Sequence, residues 1–525
     1  MSFTSRLRVV SALNHRPVGI AACAAMLTVS GCDKAVSPIE PLPPLDPSSI
    51  ESTAGTWRMI LLTGPTQIAV PAPTATNSAA YLAELDAIKS AQKGLTSAQR
   101  SAINYWSGGG VLRWNQIVRE LVARYNLPPA PRDDGGYPVP DADNPFGDPA
   151  FPFANPVYAA RAYSYVSAAQ YDALKAAWYW KFQYNRLSPA KNDNGINALM
   201  PISNLPSYPS EDAVISGVTV EMLKVLFPAA LEEITLKAAE QRNAALWSGK
   251  ATPSDLAAGL ALGKSVATVF LARAAGDGMR NAVGTPVLWK ALADSATGRG
   301  EIAWVSQDIP ARPPMLPLFG QVRAWNMTPT DIVNERPGPP PSTSSQQMKD
   351  ELAIVKKTAA NLSDAQLAIA QKWNDGAGTY SPPGHWNDVA LEYVRDAKMS
   401  EVRAARVFAL LNMAMHDAGV GCWEAKFHYF NPRPSQLDAS IKTQIGLPNF
   451  PSYPSGHSTF SAAAATVLSY LFPAGTDSFG AMRDEAGVSR LYGGIHFPAD
   501  IAAGKAHGAR IGGYTLRFAQ ADGAQ

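Results

Sequence analysis

Three short blocks near the C-terminal end hold most of the residues able to do chemistry. The first runs Lys426-Phe-His-Tyr-Phe-Asn-Pro-Arg433-Pro434. The second is Pro454-Ser455-Gly456-His457, and the third joins Ser489-Arg490 to His496 and Asp500. Lys426, Arg433 and Arg490 are cations that resist neutralisation, and His457 and His496 are two imidazoles. This donor set suits a tetrahedral or trigonal-bipyramidal oxyanion. Lysine and arginine donate to its oxygens, arginine through a planar fork. Ser455 and the backbone N–H groups near Gly456 add donors where a helix dipole points its positive end. Gly456 also lets the backbone approach closely. The histidines remain, one to bond the central atom and one to move protons. Asp500 follows His496 by one helical turn, where it can fix the tautomer and raise the basicity of the ring. Pro498 suits the first turn of a helix starting there.

The blocks resemble, residue for residue, the three-part signature of the superfamily that joins type-2 phosphatidic acid phosphatases, bacterial acid phosphatases and vanadium-dependent haloperoxidases. The resemblance covers roughly 75 residues directly. It implies that His496 is the sole protein ligand of vanadate in a haloperoxidase, or the group that forms a phosphohistidine in a phosphatase. His457 then takes a proton from hydrogen peroxide, or gives one to a leaving alcohol. Lys426, Arg433 and Arg490 spread over the equatorial oxygens, with a surface salt bridge as the plain alternative for each, and Lys426 could also polarise a bound peroxide. Trp423 and Phe450 resemble the aromatic halide pocket of fungal chloroperoxidases, although core packing accounts for them equally well. Ser489 belongs to the signature but reads as structural. His385, His416, His428 and His507 read as structural or as supports for neighbouring groups. No His-Glu-x-x-His pattern or cysteine pair suggests zinc.

These residues must be positioned by helices. Apolar residues recur at helical spacing, as in Trp106, Trp114, Ile117, Leu121 and Tyr125, and alanine-rich stretches favour helix over strand. The pattern predicts helices over 78–92, 97–126, 156–181, 212–227, 231–247 and 253–275. It predicts further helices over 346–358, 363–376, 386–396, 400–424, 457–472, 478–490 and 499–519. The expected fold class is all-α. An offset of 245 residues aligns Asp172 with Asp417, Trp178 with Trp423, Lys181 with Lys426 and the run Pro206–Ser210 with Pro451–Ser455. It places Ser188, Glu211, Asp212, Ala245 and Ala251 opposite Arg433, Gly456, His457, Arg490 and His496. Two tandem bundles are therefore expected, the first degenerate and the second carrying the site. Paired bundles of this kind resemble the haloperoxidase branch more than the one-bundle acid phosphatases. The expected division is a leader over 1–31, a Pro-rich tether over 32–77, the degenerate bundle over 78–275, an irregular connection over 276–345 and the catalytic bundle over 346–525.

The 525 residues are 46% apolar with a net charge of +2, so no basic surface asks for nucleic acid. No apolar run of membrane-spanning length is read after the leader. Arg6, Arg8 and Arg16 precede an apolar stretch from Val18 to Val29, and Val29-Ser30-Gly31-Cys32 resembles a bacterial lipobox. It implies export and a lipid on Cys32, hence a protein anchored to a membrane and not spanning it. Asp33 resembles an inner-membrane retention signal. Cys23 falls in the leader, and Cys422 is left as a small buried apolar side chain. The leading expectation is an exported vanadium haloperoxidase-type enzyme acting on hydrogen peroxide and halide. An acid phosphatase working on a phosphoester without cofactor is the rival, and an oxyanion-binding scaffold the non-enzymatic reading. The oligomeric state is left open.

Overall fold

Two long helices, Pro156–Tyr184 and Glu401–Tyr429, pack along each other at the centre of the molecule. Each has a polar cap at its start. Asn155 accepts from the Tyr158 N–H at 2.7 Å, and Ser400 from the Arg403 N–H at 3.3 Å. Each ends on a left-handed residue, Asn185 at φ 50° and Phe430 at φ 56°. An aromatic residue there is uncommon. Phe430 is held by its N–H on the Lys426 carbonyl at 2.8 Å and by burial of its ring against Trp304 and Phe427. That stop turns the chain towards Arg433, so the first block is shaped by the end of this helix.

The computed structural model describes residues 41–137 and 155–524, all within the unit Ile39–Gln525. Among the described residues there is no strand. The leader, Cys32, the first part of the tether and residues 138–154 of a Pro-rich loop lie outside them. Beside the first long helix stand Glu211–Leu226, Leu231–Trp247 and Pro253–Ala275, and beside the second stand Gly456–Leu471, Thr476–Tyr492 and Pro498–Gln520. The bounds of all four helices in one set recur in the other at an offset of 245 residues. In both sets a glycine brings two backbones together. A Cβ on Gly263 would lie 2.4 Å from the Val214 carbonyl oxygen, and one on Gly508 would lie 2.0 Å from that of Thr459. No side chain fits such spaces.

Two buried carboxylates tie irregular chain to the bundles. Asp172 accepts from the N–H groups of Ile60, Leu61 and Leu62 at 2.7, 2.8 and 3.1 Å. Asp417 accepts from those of Trp325 and Asn326 at 2.7 and 2.8 Å. Such segments need partners for their N–H groups once buried, and the carboxylates supply them.

Four expectations require correction. Residues 41–77 are no free tether, since Leu42, Trp57, Leu62 and Val70 are buried in the main core. Apolar side chains spaced among prolines lack a period but still bury area. The helix expected over 97–126 is two, Ser97–Trp106 and Gly110–Tyr125, broken where Gly109 takes φ 97°. The connection over 276–345 contains the helices Pro286–Gly298 and Pro329–Asn334, each opened by a proline at its first turn. Finally, Pro253–Asn281 is apolar and long enough to cross a membrane by length and composition. Its helix instead packs on Glu211–Leu226, with Asp255 buried and Lys264 exposed.

Candidate active site

The third block places His496 just before the helix Pro498–Gln520 and Asp500 in that helix's first turn. The Asp500 carboxylate accepts from the Phe497 N–H at 3.1 Å and from the Ser452 hydroxyl at 2.5 Å. The same oxygen lies 2.8 Å from His496 Nδ1. On the other side of the ring, Arg433 Nη1 lies 3.0 Å from Nε2. Arginine can only donate, so Nε2 accepts and Nδ1 carries the proton given to Asp500. Burial and the charges of Arg433, Lys426 and Arg490 hold His496 well below the usual imidazole range. Its ring is neutral, with Nε2 as the nucleophilic or ligating atom. Burial raises Asp500 to about 6, against the bonds from Ser452 and the Phe497 N–H.

The three cations are buried, and among the described residues none has a carboxylate within ion-pair distance. Lys426 donates to the carbonyls of Pro451, Ser452 and Pro454 at 2.8, 2.8 and 2.6 Å. Arg433 donates to the carbonyls of Phe450 and Ile495 at 3.1 and 3.0 Å. Arg490 donates to the Trp373 carbonyl and, at 2.9 Å, to the Ser489 hydroxyl. Burial pushes Lys426 down to about 7, Arg433 to about 9 and Arg490 to about 10. Buried charge is ordinarily paired. An excess of positive charge beside a neutral imidazole is a site prepared for an anion.

A cavity of about 400 Å³ reaches Arg490 and His496 of this cluster, with His457, Gly456, Phe450 and Asp375 also in its wall, while Lys426, Arg433 and Ser455 are not part of that wall. The second block reaches it because the Ser455 N–H donates to the Asp500 carbonyl at 2.9 Å, joining blocks two and three. Ser455 itself caps the helix Gly456–Leu471, accepting from the Ser458 N–H at 3.4 Å. A Cβ on Gly456 would meet nothing nearer than Trp423 at 3.9 Å and Phe460 at 4.0 Å, so this helix start is open to a ligand. Burial and Arg490 bring His457 down to about 4, against the pull of Asp375.

Phe450 lines the cavity, whereas Trp423 is fully buried behind it, ring centroids 4.8 Å apart, with its indole N–H on the Met315 carbonyl. His416 is enclosed by Phe319 and Trp325, His428 lies by Arg336, and His507 is buried with no hydrogen-bond partner among the described residues. The sequence reading missed Ser452 and Asp375 as neighbours of the two imidazoles. Ser452 had a signal, because it sits in the aligned run before Ser455. Asp375 had none, since it stands outside all three blocks.

In the other half the same locus is neutralised from within. Lys181 meets Glu211 at 2.7 Å, and Lys250 meets Glu211 at 2.9 Å and Asp212 at 2.8 Å. Arg186 pairs with Asp255, and alanines stand at 245 and 251. A carboxylate of the chain occupies the lysine that in the second half has only carbonyls.

This combination of helical fold and cation-lined histidine site defines a class. Residues 406–523 match the model of the PAP2 superfamily, so this part of the chain is a PAP2-superfamily domain, and all three blocks lie inside it. Over 112 residues the chain is 32% identical to a non-specific acid phosphatase of Providencia stuartii. That match covers 20% of this chain and spans less than half, 45%, of the enzyme's length. Over 69% to 73% of the chain the fold is similar to that of solved vanadium-dependent haloperoxidases. A bacterial vanadium-dependent iodoperoxidase aligns with a TM-score of 0.55 and 24% identity, over 69% of this chain and 91% of its own. The holo form of a bacterial vanadium-dependent chloroperoxidase aligns with a TM-score of 0.50 and 15% identity, over 73% of this chain and 96% of its own.

Proposed function

We propose that this chain is a vanadium-dependent haloperoxidase-type enzyme that oxidises halide with hydrogen peroxide. The observation that carries the reading is the cluster of three unpaired buried cations around a neutral His496, set in a fold that matches haloperoxidases over nearly their whole length. The residues fit vanadate. His496 Nε2 would bond it and Arg490 would donate to its oxygens through Nη1. Lys426 and Arg433, whose N–H groups hold backbone carbonyls here, would supply positive charge and would have to exchange some of those carbonyls for the anion. The N–H at Gly456 and the Ser455 hydroxyl would complete the cradle. Bound vanadate would supply the Lewis-acidic centre at which peroxide becomes an oxidant for halide. Asp500 keeps the His496 proton on Nδ1 and so keeps the lone pair on Nε2, which accepts from Arg433 here and would be released to the anion as it binds. His457 takes up a proton from the incoming peroxide. Phe450 gives the cavity an apolar wall from which water is excluded near the halide. Trp423, set behind it, supports that ring.

The likeness to the Providencia acid phosphatase favours a second reading. The same Nε2 would attack phosphorus, the cations would hold the phosphoryl oxygens, and His457 would protonate the leaving alcohol. The two readings part in one experiment. Purified protein is loaded with orthovanadate and assayed for bromide and iodide oxidation, and in parallel for p-nitrophenyl phosphate hydrolysis. Halide oxidation that depends on vanadate supports the first. Hydrolysis that vanadate inhibits, with no halide oxidised, replaces it by the second.

We further propose that the protein is exported and held at a bacterial membrane by a lipid on Cys32. Mass measurement of the mature N-terminus tests this, and an unmodified or uncleaved end would overturn it.

A further inference from the structure

We propose that Asp375 and His385 form, with His457, a proton-handling chain in which Asp375 positions the His457 ring and His385 passes protons to solvent. The inference rests on the site reading above but not on the choice between its two reactions, since both need His457 to exchange protons.

One oxygen of Asp375 faces both rings. His385 Nδ1 lies 3.2 Å from Oδ2 and 3.1 Å from Oδ1, and His457 Nε2 lies 3.7 Å from the same Oδ2. The carboxylate is buried, while His385 and His457 keep 15% and 16% of their side chains exposed. The His385 ring is fixed by stacking on Trp373, centroids 4.1 Å apart at 15°, and by the edge of Tyr380. Asp375 sits at φ 45°, a left-handed conformation that costs energy and is retained where the surroundings enforce it. Here they do. Asn126 donates to the carbonyls of Gly376 and Thr379 at 2.9 and 3.0 Å, and Arg490 holds the Trp373 carbonyl. Arg490 thereby links this connection to the anion site itself.

The charged groups around the chain are few. His457 faces Asp375 and Arg490. His385 faces Asp375, with Glu485 beyond Trp373 and Asp388 beyond Tyr380, the latter paired with Arg119. Burial pushes the Asp375 carboxyl up, but the two imidazoles outweigh it and hold it well below the usual range. Asp375 thus stays ionised and offsets the repulsion of Arg490 on a protonated His457. At rest the 3.7 Å gap leaves His457 Nε2 without a hydrogen bond among the described residues. A proton accepted by His457 passes to Oδ2 as that gap closes, protonates the carboxyl only transiently, and moves on to the lone pair of His385 Nδ1, whose Nε2 proton leaves to buffer. Asp375 and His385 lie outside the matched domain, residues 406–523, so two of the three members are supplied by chain that precedes the blocks, and only His457 by a block.

The test uses the full chain with His385→Gln and Asp375→Asn. Orthovanadate affinity is measured by calorimetry, and turnover against pH on whichever reaction the wild type performs, halide oxidation or p-nitrophenyl phosphate hydrolysis. Affinity is expected to stay within about threefold. Turnover is expected to fall about tenfold for His385→Gln and about a hundredfold for Asp375→Asn. The limb belonging to His457 should move to lower pH in Asp375→Asn. Imidazole buffer should restore turnover to His385→Gln and not to Asp375→Asn, which no packing role would produce. Unchanged turnover, absence of rescue, or parallel loss of affinity and turnover would overturn the proposal. If Asp375→Asn does not fold, judged by its thermal transition, His385→Gln, at a partly exposed side chain, decides alone. A wild type that binds vanadate but turns over neither substrate overturns this inference and both readings of the reaction.

Discussion

His496 is neutral because burial, with the charges of Arg433, Lys426 and Arg490 added to it, disfavours the protonated ring. The ring therefore presents a lone pair at Nε2 inside a shell of donors. On the proposed function, replacing it by alanine removes the atom that would bond the central atom of the anion. His496→Ala is expected to lose turnover by about a thousandfold or more, with orthovanadate affinity falling alongside, as calorimetry would read. Arg433 has a different duty. It has no carboxylate partner, so Arg433→Ala should lower orthovanadate affinity about a hundredfold while the protein remains folded. Near-wild-type affinity in that variant would mean that its guanidinium serves only the Phe450 and Ile495 carbonyls. The identities of both residues were legible in the blocks. Their present contacts were not, because the carbonyls that hold Arg433 come from residues 450 and 495, brought there by the fold.

Helices position these residues, and two of their contacts can be probed without touching the site. The close approach of Gly508 to the Thr459 backbone keeps the Asp500 helix against the His457 helix. Gly508→Ala must push them apart, and a loss of about 3 kcal/mol or more in urea unfolding is expected, with turnover falling too. Glu401, at the start of the central helix Glu401–Tyr429, accepts from the N–H groups of Gly110 and Val111 at 2.5 and 3.0 Å. Burial raises its carboxyl from 4.5 to about 7, against the attraction of Lys250. A carboxyl raised on folding stabilises most while protonated in both states. That contribution is lost as pH rises from 4.5 through about 7. Melting temperature measured across this range should therefore fall less steeply in Glu401→Gln than in the wild type.

At the scale of the molecule, one half leaves its cations without counter-charge and the other supplies its own carboxylates. An anion that binds the folded site alone must stabilise the whole chain by mass action. Orthovanadate at a hundred times its dissociation constant is expected to add about 2.7 kcal/mol to unfolding, and the effect should vanish in His496→Ala. The fold class was readable because helical periodicity, caps and alanine content act over a few residues at a time. The recurrence at 245 residues was readable for the same reason, and the bounds of eight helices follow it.

What the amino-acid order determined alone is local. It set the helices, the three blocks and the His496–Asp500 spacing of one turn. Tertiary structure decided which groups share the cavity. It brought Asp375 to His457 from 82 residues away, buried Leu42, Trp57, Leu62 and Val70, whose spacing has no period, and set Trp423 behind Phe450 instead of beside it in the wall. The reason is physical. Spacing along a helix fixes only neighbours within a turn or two, whereas contacts across the bundle depend on how whole helices and the chain between them fill the space that remains.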